Sequence, residues 1–303
     1  MIQRYKNHLL LHLTVLIFGL TGPLGKAIQA PEEVVVFYRL IIALLGIFIY
    51  FKLTHFKIDL SKQTLKECWY VGFIVGLHWI TFFGAIKASN VSVALVCFSS
   101  STLFTAVLEA LYNKRRIVIY ELILGLLILV GIYFLNKEPG VPIFESKYAL
   151  GIGLSVFSAA LASWFTVING TLIKKGREAK TISFVELIFA LVLLIFYVPI
   201  INGSQTLSVL SIDRYDLLYV AILGLLCTSF AYIVSVNVMK EISAYTVTMS
   251  VNLEPIYSII LAILIWPETE KMQPTFYVGA AAILGVIFLN GILKKKFKPK
   301  ISI

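Results

Sequence analysis

SAYTVTMSVNLEPIYSIILAILIW, residues 243–266, decides the fold, because it sets an acid where lipid disfavours one. A run of about 20 apolar residues crosses the ~30 Å hydrocarbon layer, so Glu254, the twelfth residue of the stretch, falls near the bilayer midplane. An ionised carboxylate at that depth costs about 2.5–3.5 kcal/mol on insertion scales and normally faces a bundle interior or a water-filled cavity. Pro255 follows directly. It has no N–H and crowds the carbonyl four residues back, which predicts a kink and free backbone carbonyls beside the acid. Asn252 and Tyr257 add polar groups within one turn. Two roles are open to Glu254: a partner for a neighbouring helix, or a functional group in a cavity, and intramembrane acids default to the second.

The remainder of the chain is of the same character. Of 303 residues 59% are hydrophobic and only 14% charged, and the mean hydropathy is +0.91, which predicts an integral membrane protein. The net charge of +10 is spread over short loops between apolar spans rather than gathered in one patch with aromatics, which excludes nucleic acid as a partner. Cys68, Cys97 and Cys227 lie at or within apolar segments without CxxC spacing, so neither a disulfide framework nor a zinc site is indicated. MIQRYKNH leads into an apolar run too long for a signal-peptide core, with no A-x-A before Pro31, so the first span is expected to be uncleaved.

Ten spans are predicted, at about 7–28, 34–51, 67–86, 91–112, 117–135, 148–173, 181–201, 216–238, 243–266 and 274–293. With the N-terminus inside, 19 of the 26 lysines and arginines fall in cytoplasmic segments and 6 outside, with Arg39 inside a span. The positive-inside rule therefore places both termini in the cytoplasm.

The two halves match when one is slid along the other. Gly125, Gly131 and Phe134-Leu135-Asn136 correspond to Gly279, Gly285 and Phe288-Leu289-Asn290; Phe37, Leu40, Ala43 and Tyr50 correspond to Phe184, Leu187, Ala190 and Tyr197; Leu13, Gly22, Leu24 and Lys26 correspond to Leu161, Gly170, Leu172 and Lys174. Five spans is an odd number, so the second copy enters the membrane from the opposite side. The expected fold is all-α: ten transmembrane helices as two inverted five-helix repeats, residues 1–138 and 146–294, followed by a basic cytoplasmic tail, 295–303. Secondary transporters are built this way, with the site at the midplane between repeats.

Candidate site residues follow from that architecture. Arg39 and Glu186 are the other ionisable groups clearly within spans, at equivalent positions of the two halves. Inversion sets them on opposite sides of the midplane, roughly 15 Å apart in depth at about 1.5 Å per residue, too far for an ion pair. Each is open to two readings, anchoring at the interface or direct contact with a solute. Glu109, near Lys114, Arg115 and Arg116, reads as a solvated pair. Interruptions are expected at Gly22-Pro23 in span 1, at Asn169-Gly170 in span 6 and at Pro255, because broken spans at matching places point to a transporter site. Gly72 and Gly76 form a GxxxG on span 3 and read as a packing face. His78, Trp79, Trp164, Asn169, Tyr232, Asn237, Asn252 and Tyr257 are the aromatic and polar groups able to line a cavity, with Trp79 favoured by its place midway along span 3.

Enzyme signatures are lacking. His8 and His12 are four apart but LLL lies between them, so the HExxH glutamate is missing, and Gly151-x-Gly153 has neither a third glycine nor a P-loop lysine. No catalytic residue, metal or cofactor is expected, and no ATP-driven transport.

With a Gly- and Pro-marked first span, FYRLIIALL in span 2, G-x5-G-x2-F-L-N closing each half and SVNLEPIYSIILAIL leading to an acidic turn at Glu268, nearly the whole chain resembles the EamA-type branch of the drug/metabolite transporter superfamily. Leu103 stands where the second half has Pro255, and Arg116 roughly where Glu268 would fall, so the resemblance carries no proline kink into span 4. It implies export or exchange of small metabolites such as amino acids, nucleobases or amphipathic compounds, by alternating access and without ATP. The expected partners are a small-molecule substrate, the lipid bilayer and protons, with a monomer or homodimer as the assembly. Glu254 is the expected coupling or substrate-orienting acid. The alternatives are an uncoupled facilitator of the same fold, or a membrane receptor or scaffold.

Overall fold

The computed structural model describes residues 2–114, 116–135, 148–270 and 274–296. Among them are helices and short connections and no strand. Ten long helical elements succeed one another: α1 (Lys6–Ala27), α2 (Glu32–Leu53), α3 (Lys62–Ala88), α4 (Val91–Tyr112), α5 (Ile119–Leu135), α6 (Ala149–Lys174), α7 (Ala179–Val209), α8 (Arg214–Lys240), α9 (Ala244–Ile265) and α10 (Pro274–Lys296). Among the described residues eight of them are long and apolar enough to cross a membrane; the other two expected spans, α5 and α10, adjoin residues outside the described ones. Among the described residues α5 runs from Ile119 to Leu135, where the described stretch ends. It packs beside α4 and against α10. Asn136, Arg115, Lys137, Lys147, Lys271 and the tail from 297 lie outside the described residues.

Helix starts are set by short polar side chains that take up backbone N–H groups the helix leaves unpaired. Ser61 accepts from Thr64 N, Asn90 from Val93 N, Asp213 from Tyr215 N and Ser243 from Thr246 N. Two buried acids add caps from across the bundle. Glu270, just past α9, accepts from Val91 N and Ser92 N at the start of α4, and Glu109, near the end of α4, accepts from Tyr245 N at the start of α9. Glu109 is buried, so the solvated pairing expected for it is corrected: the N-terminus of α9 holds its carboxylate inside the bundle.

Three elements are interrupted near their middles. In α1 the break is Gly19-Leu20 and not the expected Gly22-Pro23, which lies within the helical stretch Thr21–Ala27; in α4 it is Ser99-Ser100 and in α9 Asn252-Leu253. At the first, Pro23 brings no N–H to Gly19 four residues back, and the Gly19 carbonyl accepts instead from Ser258 Oγ of α9 at 2.6 Å. Gly19 is needed for that approach, since a Cβ there would lie 2.7 Å from Cβ of Tyr257. Pro255 likewise begins the second part of α9. In α4 the work of proline falls to hydroxyl residues: Ser99 N and Ser100 N bond three residues back, to Val96 O and Cys97 O, tightening the backbone into a single 3₁₀-like turn. Asn252 stitches the two turns together, donating to Ser99 O at 3.2 Å and to Thr102 Oγ1 and accepting from Ser101 Oγ at 3.1 Å. No break occurs at Gly170, where one was expected, for α6 continues hydrogen-bonded from Ala149 to Lys174. Without a following proline nothing removes its backbone donors.

The other backbone departure is in α8, where Leu223–Phe230 widens to a π-helix. Thr228 Oγ1 and Ser229 Oγ donate to carbonyls five residues back, Leu223 O at 2.8 Å and Gly224 O at 3.0 Å. Opposite this turn, α3 lies directly on α7. A Cβ at Gly72 would sit 2.4 Å from Glu186 O and one at Gly76 3.1 Å from Leu193, so the GxxxG is the packing face it was read to be.

Candidate functional site

The interrupted helices and the π-turn surround a cavity of about 100 Å³. Arg39 from α2, Glu254 from α9, His78 and Trp79 from α3, Asn169 from α6 and Tyr232 from α8 all line it, so six of the residues singled out from sequence converge there.

Arg39 is buried inside the bundle rather than reaching outward to the interface, the anchoring role also open to it. Its Nε donates to Thr228 Oγ1 at 2.5 Å, and Cζ lies 4.1 Å from the centre of the Trp79 ring. The widened turn of α8 is what brings Thr228 to it, an instance of a π-bulge shaping a polar site. An aromatic face attracts a guanidinium through the ring quadrupole by about 2 kcal/mol when both are desolvated. Among the described residues no ion pair joins Arg39 to an acid.

Glu254 occupies the first turn after the break in α9, where the exposed N–H groups of the helix favour a negative charge. Thr21, the first residue past the break in α1, sets its hydroxyl 2.8 Å from Oε1 and 2.7 Å from Phe18 O, with its single proton shared between the two. The two breaks thus meet, and the acid is fixed at their junction.

The remaining wall is aromatic and hydroxylated. The His78 ring lies 5.4 Å from Phe165 and 5.7 Å from Phe98, centre to centre. Its Nδ1 lies 2.8 Å from the Ser158 hydroxyl and 3.1 Å from Ser158 O, and the same hydroxyl lies 3.1 Å from His78 O. Tyr232 stands edge-on to Trp79 at 6.0 Å. Ser235 and Thr248 complete the lining toward the end of the bundle where α8 passes into α9.

Glu186 is not in the lining but behind it, with Oε2 accepting from the Tyr232 hydroxyl at 2.6 Å and from Asn169 Nδ2 at 3.1 Å. Four sequence candidates belong elsewhere. Asn252 is spent on the α4–α9 stitch, Tyr257 packs on Gly19, and Trp164 is 42% exposed in an apolar groove beside Leu103 and Leu126. Trp164 faces away because the inner stripe of α6 is taken by Ala162, Phe165 and Asn169, one and two turns apart. Asn237 borders a separate cleft with Lys6 and Glu241.

The end of the bundle that carries Lys26 is closed. Lys26 Nζ lies 2.6 Å from Glu270 Oε1, Asp216 accepts from the backbone N–H groups of Gln29 and Ala30, and Lys87 donates to Ile28 O. Sequence reading missed Thr21 and Thr228. The first adjoins the glycine-rich break, and the second opens a Thr-Ser pair whose hydroxyls reach five residues back, a signal readable only once the π-turn is known.

Apolar helices wrapped around a cavity with an arginine and a glutamate in its wall define a multi-pass membrane protein of transporter type. The model of the EamA-like transporter family matches residues 6–137 and again 150–292, and the chain belongs to that family. It is similar, at 22% identity over 297 residues, to an uncharacterized transporter of Clostridium kluyveri, with 94% of this chain and 90% of that protein covered. A solved crystal structure of a protein has the same fold, with a TM-score of 0.65 over 95% of this chain and 97% of the other at 16% identity.

Proposed function

We propose that the protein is a secondary transporter of small amphipathic zwitterions of the amino-acid type, working by alternating access across a bacterial-type inner membrane. The observation that carries this reading is the presence of Arg39 and Glu254 in the wall of one cavity otherwise lined by aromatic, aliphatic and hydroxyl side chains. A guanidinium already held by Thr228 and Trp79 keeps free N–H donors for a carboxylate. A carboxylate already held by Thr21 keeps acceptor capacity for an ammonium. Trp79, Phe98 and Phe165 suit an apolar side chain between them.

The moving parts in this reading are two inverted repeats of five helices, with α5 and α10 counted as the ninth and tenth spans and both termini cytoplasmic. It is supported by the matched residues of the two halves, by the paired turns at Ser99-Ser100 and Asn252-Leu253, and by the family model matching twice. The Lys26–Glu270 end is then the external one, closed here, and the cavity lies toward the cytoplasm.

The test is counterflow of radiolabelled L-phenylalanine into proteoliposomes, with a nucleobase and a cationic amphiphile as competitors. Saturable uptake lost in Arg39→Met and in Glu254→Gln is expected. Uptake equal to that of empty vesicles, or competition by the cationic amphiphile alone, refutes the substrate class. Cysteine labelling that puts the two termini on different faces refutes the inverted topology.

A further inference from the structure

Behind the solute cavity, Glu186 and Asn169 make an incomplete pair. Four side-chain atoms among the described residues are buried without a hydrogen-bond partner, and two of them are Glu186 Oε1 and Asn169 Oδ1. The other atoms of the same two groups are bonded to each other, Nδ2 to Oε2 at 3.1 Å. With the carboxyl ionised, both leftover atoms are acceptors and neither can serve the other. A proton on Oε1 removes the conflict: the acid gains a donor, and the amide of the same pair has an acceptor to spare. Such a proton turns Oε1 into a donor for an acceptor like Oδ1, while the Nδ2–H bond to Oε2 is kept.

The surroundings argue the same way. The elements packed on α7 at this level are α2, α3, α6 and α8. From α8 comes Tyr232, which donates to Oε2; from α3 the titratable groups are Cys68 and Tyr70; from α6 comes Asn169; and α2 sets Phe51 on Phe184. None of these is a cation, and among the described residues no lysine, arginine or histidine pairs with Glu186. Glu186 is fully buried, and a buried carboxylate without a cation is costly where a neutral acid with complete hydrogen bonds is not.

We propose that Glu186 and Asn169 form a proton-carrying pair, whose proton leaves Oε1 for water when the cavity opens and returns when it closes. Asn169 and Tyr232 belong at once to the pair and to the cavity wall, so a solute that displaces either one changes the bonds that hold the proton. The coupling role foreseen for Glu254 then passes to Glu186, and Glu254 stays with the solute. As a coupling site the pair rests on the transporter reading above; as a proton site it does not.

Infrared difference spectroscopy of the full-length protein in lipid, titrated with pH, decides the matter. A carbonyl stretch of a protonated carboxylic acid is expected at neutral pH, absent in Glu186→Gln, present in Glu254→Gln and shifted in Asn169→Ala by loss of the amide partner. No such band in the wild type, or a band that survives Glu186→Gln, overturns the proposal. Should Glu186→Gln fail to fold, a band unmoved in Asn169→Ala overturns it equally. In proteoliposomes, stimulation of L-phenylalanine flux by a pH gradient is expected to vanish in Glu186→Gln, and stimulation that persists overturns the coupling role. Absence of wild-type phenylalanine flux would sink the substrate reading while the infrared band still judges the proton pair.

Discussion

Glu270 and Ser92 are joined twice: the carboxylate accepts the Ser92 N–H at 3.0 Å and the Ser92 hydroxyl at 2.8 Å, while Lys26 lies 2.6 Å from its other oxygen. At the far end of the same helix pair Glu109 accepts the N–H of Tyr245. Ser92 and Tyr245 stand 153 positions apart, as do the interruptions of α4 and α9, so each helix of the pair is capped by an acid at or beyond the end of its partner.

Glu270→Ala is therefore expected to destabilise the fold by about 2–3 kcal/mol, since it strips two helix N–H groups of their acceptor and leaves Lys26 without its partner. Lys26→Ala, which leaves both caps in place, should cost less. Thermal unfolding in detergent measures both, and equal losses would mean that the ion pair, not the cap, is what matters.

Arg39→Lys keeps the charge and loses the planar stack on Trp79 and the Nε bond to Thr228. Transport of L-phenylalanine is expected to fall at least about tenfold, corresponding to the ~1.4 kcal/mol that one such interaction supplies. Trp164→Ala, on the exposed face of α6, should leave uptake as in the wild type. Uptake that drops in Trp164→Ala as far as in Arg39→Lys would argue that the cavity has been misplaced.

Glycine substitutions rank the helix contacts. Gly72→Ala drives a methyl into the Glu186 carbonyl, 2.4 Å away, and should cost about 1–3 kcal/mol as α3 and α7 are forced apart. Gly153→Ala meets nothing within 4 Å and should stabilise by about 0.5–1 kcal/mol through the backbone entropy of the unfolded chain. Denaturation midpoints of the two variants should move in opposite directions.

In the loop before α3, hydrogen bonds from Thr64 and then Ser61 hold the Asp59 carboxyl below the usual carboxylate range. A depressed acidity in the folded state means that the bonds favour folding above the ordinary aspartate range and lose that effect as pH falls through the folded value. Thr64→Val should move the Asp59 titration toward its ordinary position, and amide exchange at Ser61 should then quicken at a higher pH than in the wild type. Carboxylate NMR shifts and hydrogen exchange follow the two effects.

Hydropathy was enough to read a multi-pass helical membrane protein from the chain, because burial in lipid demands long apolar runs whatever their partners. Arg39, Glu254, His78, Trp79 and Asn169 were legible as well, since polar groups within apolar spans are costly unless they face one another or a cavity. Gly170 and Trp164 were misread for opposite reasons: a glycine without a following proline need not break a helix, and an aromatic residue gives no sign of which way its helix faces.

What only the tertiary structure decided lies in backbone irregularity and in long-range pairing. The serine-built turn of α4 has no proline to announce it, and the π-turn that carries Thr228 to Arg39 depends on hydroxyls bonding five residues back. Thr21 meets Glu254 across 233 residues, and Asn169 meets Glu186 across a helix junction. Local sequence sets which groups must be satisfied inside the membrane; the packing of whole helices settles which partner satisfies each, and which atoms are left over.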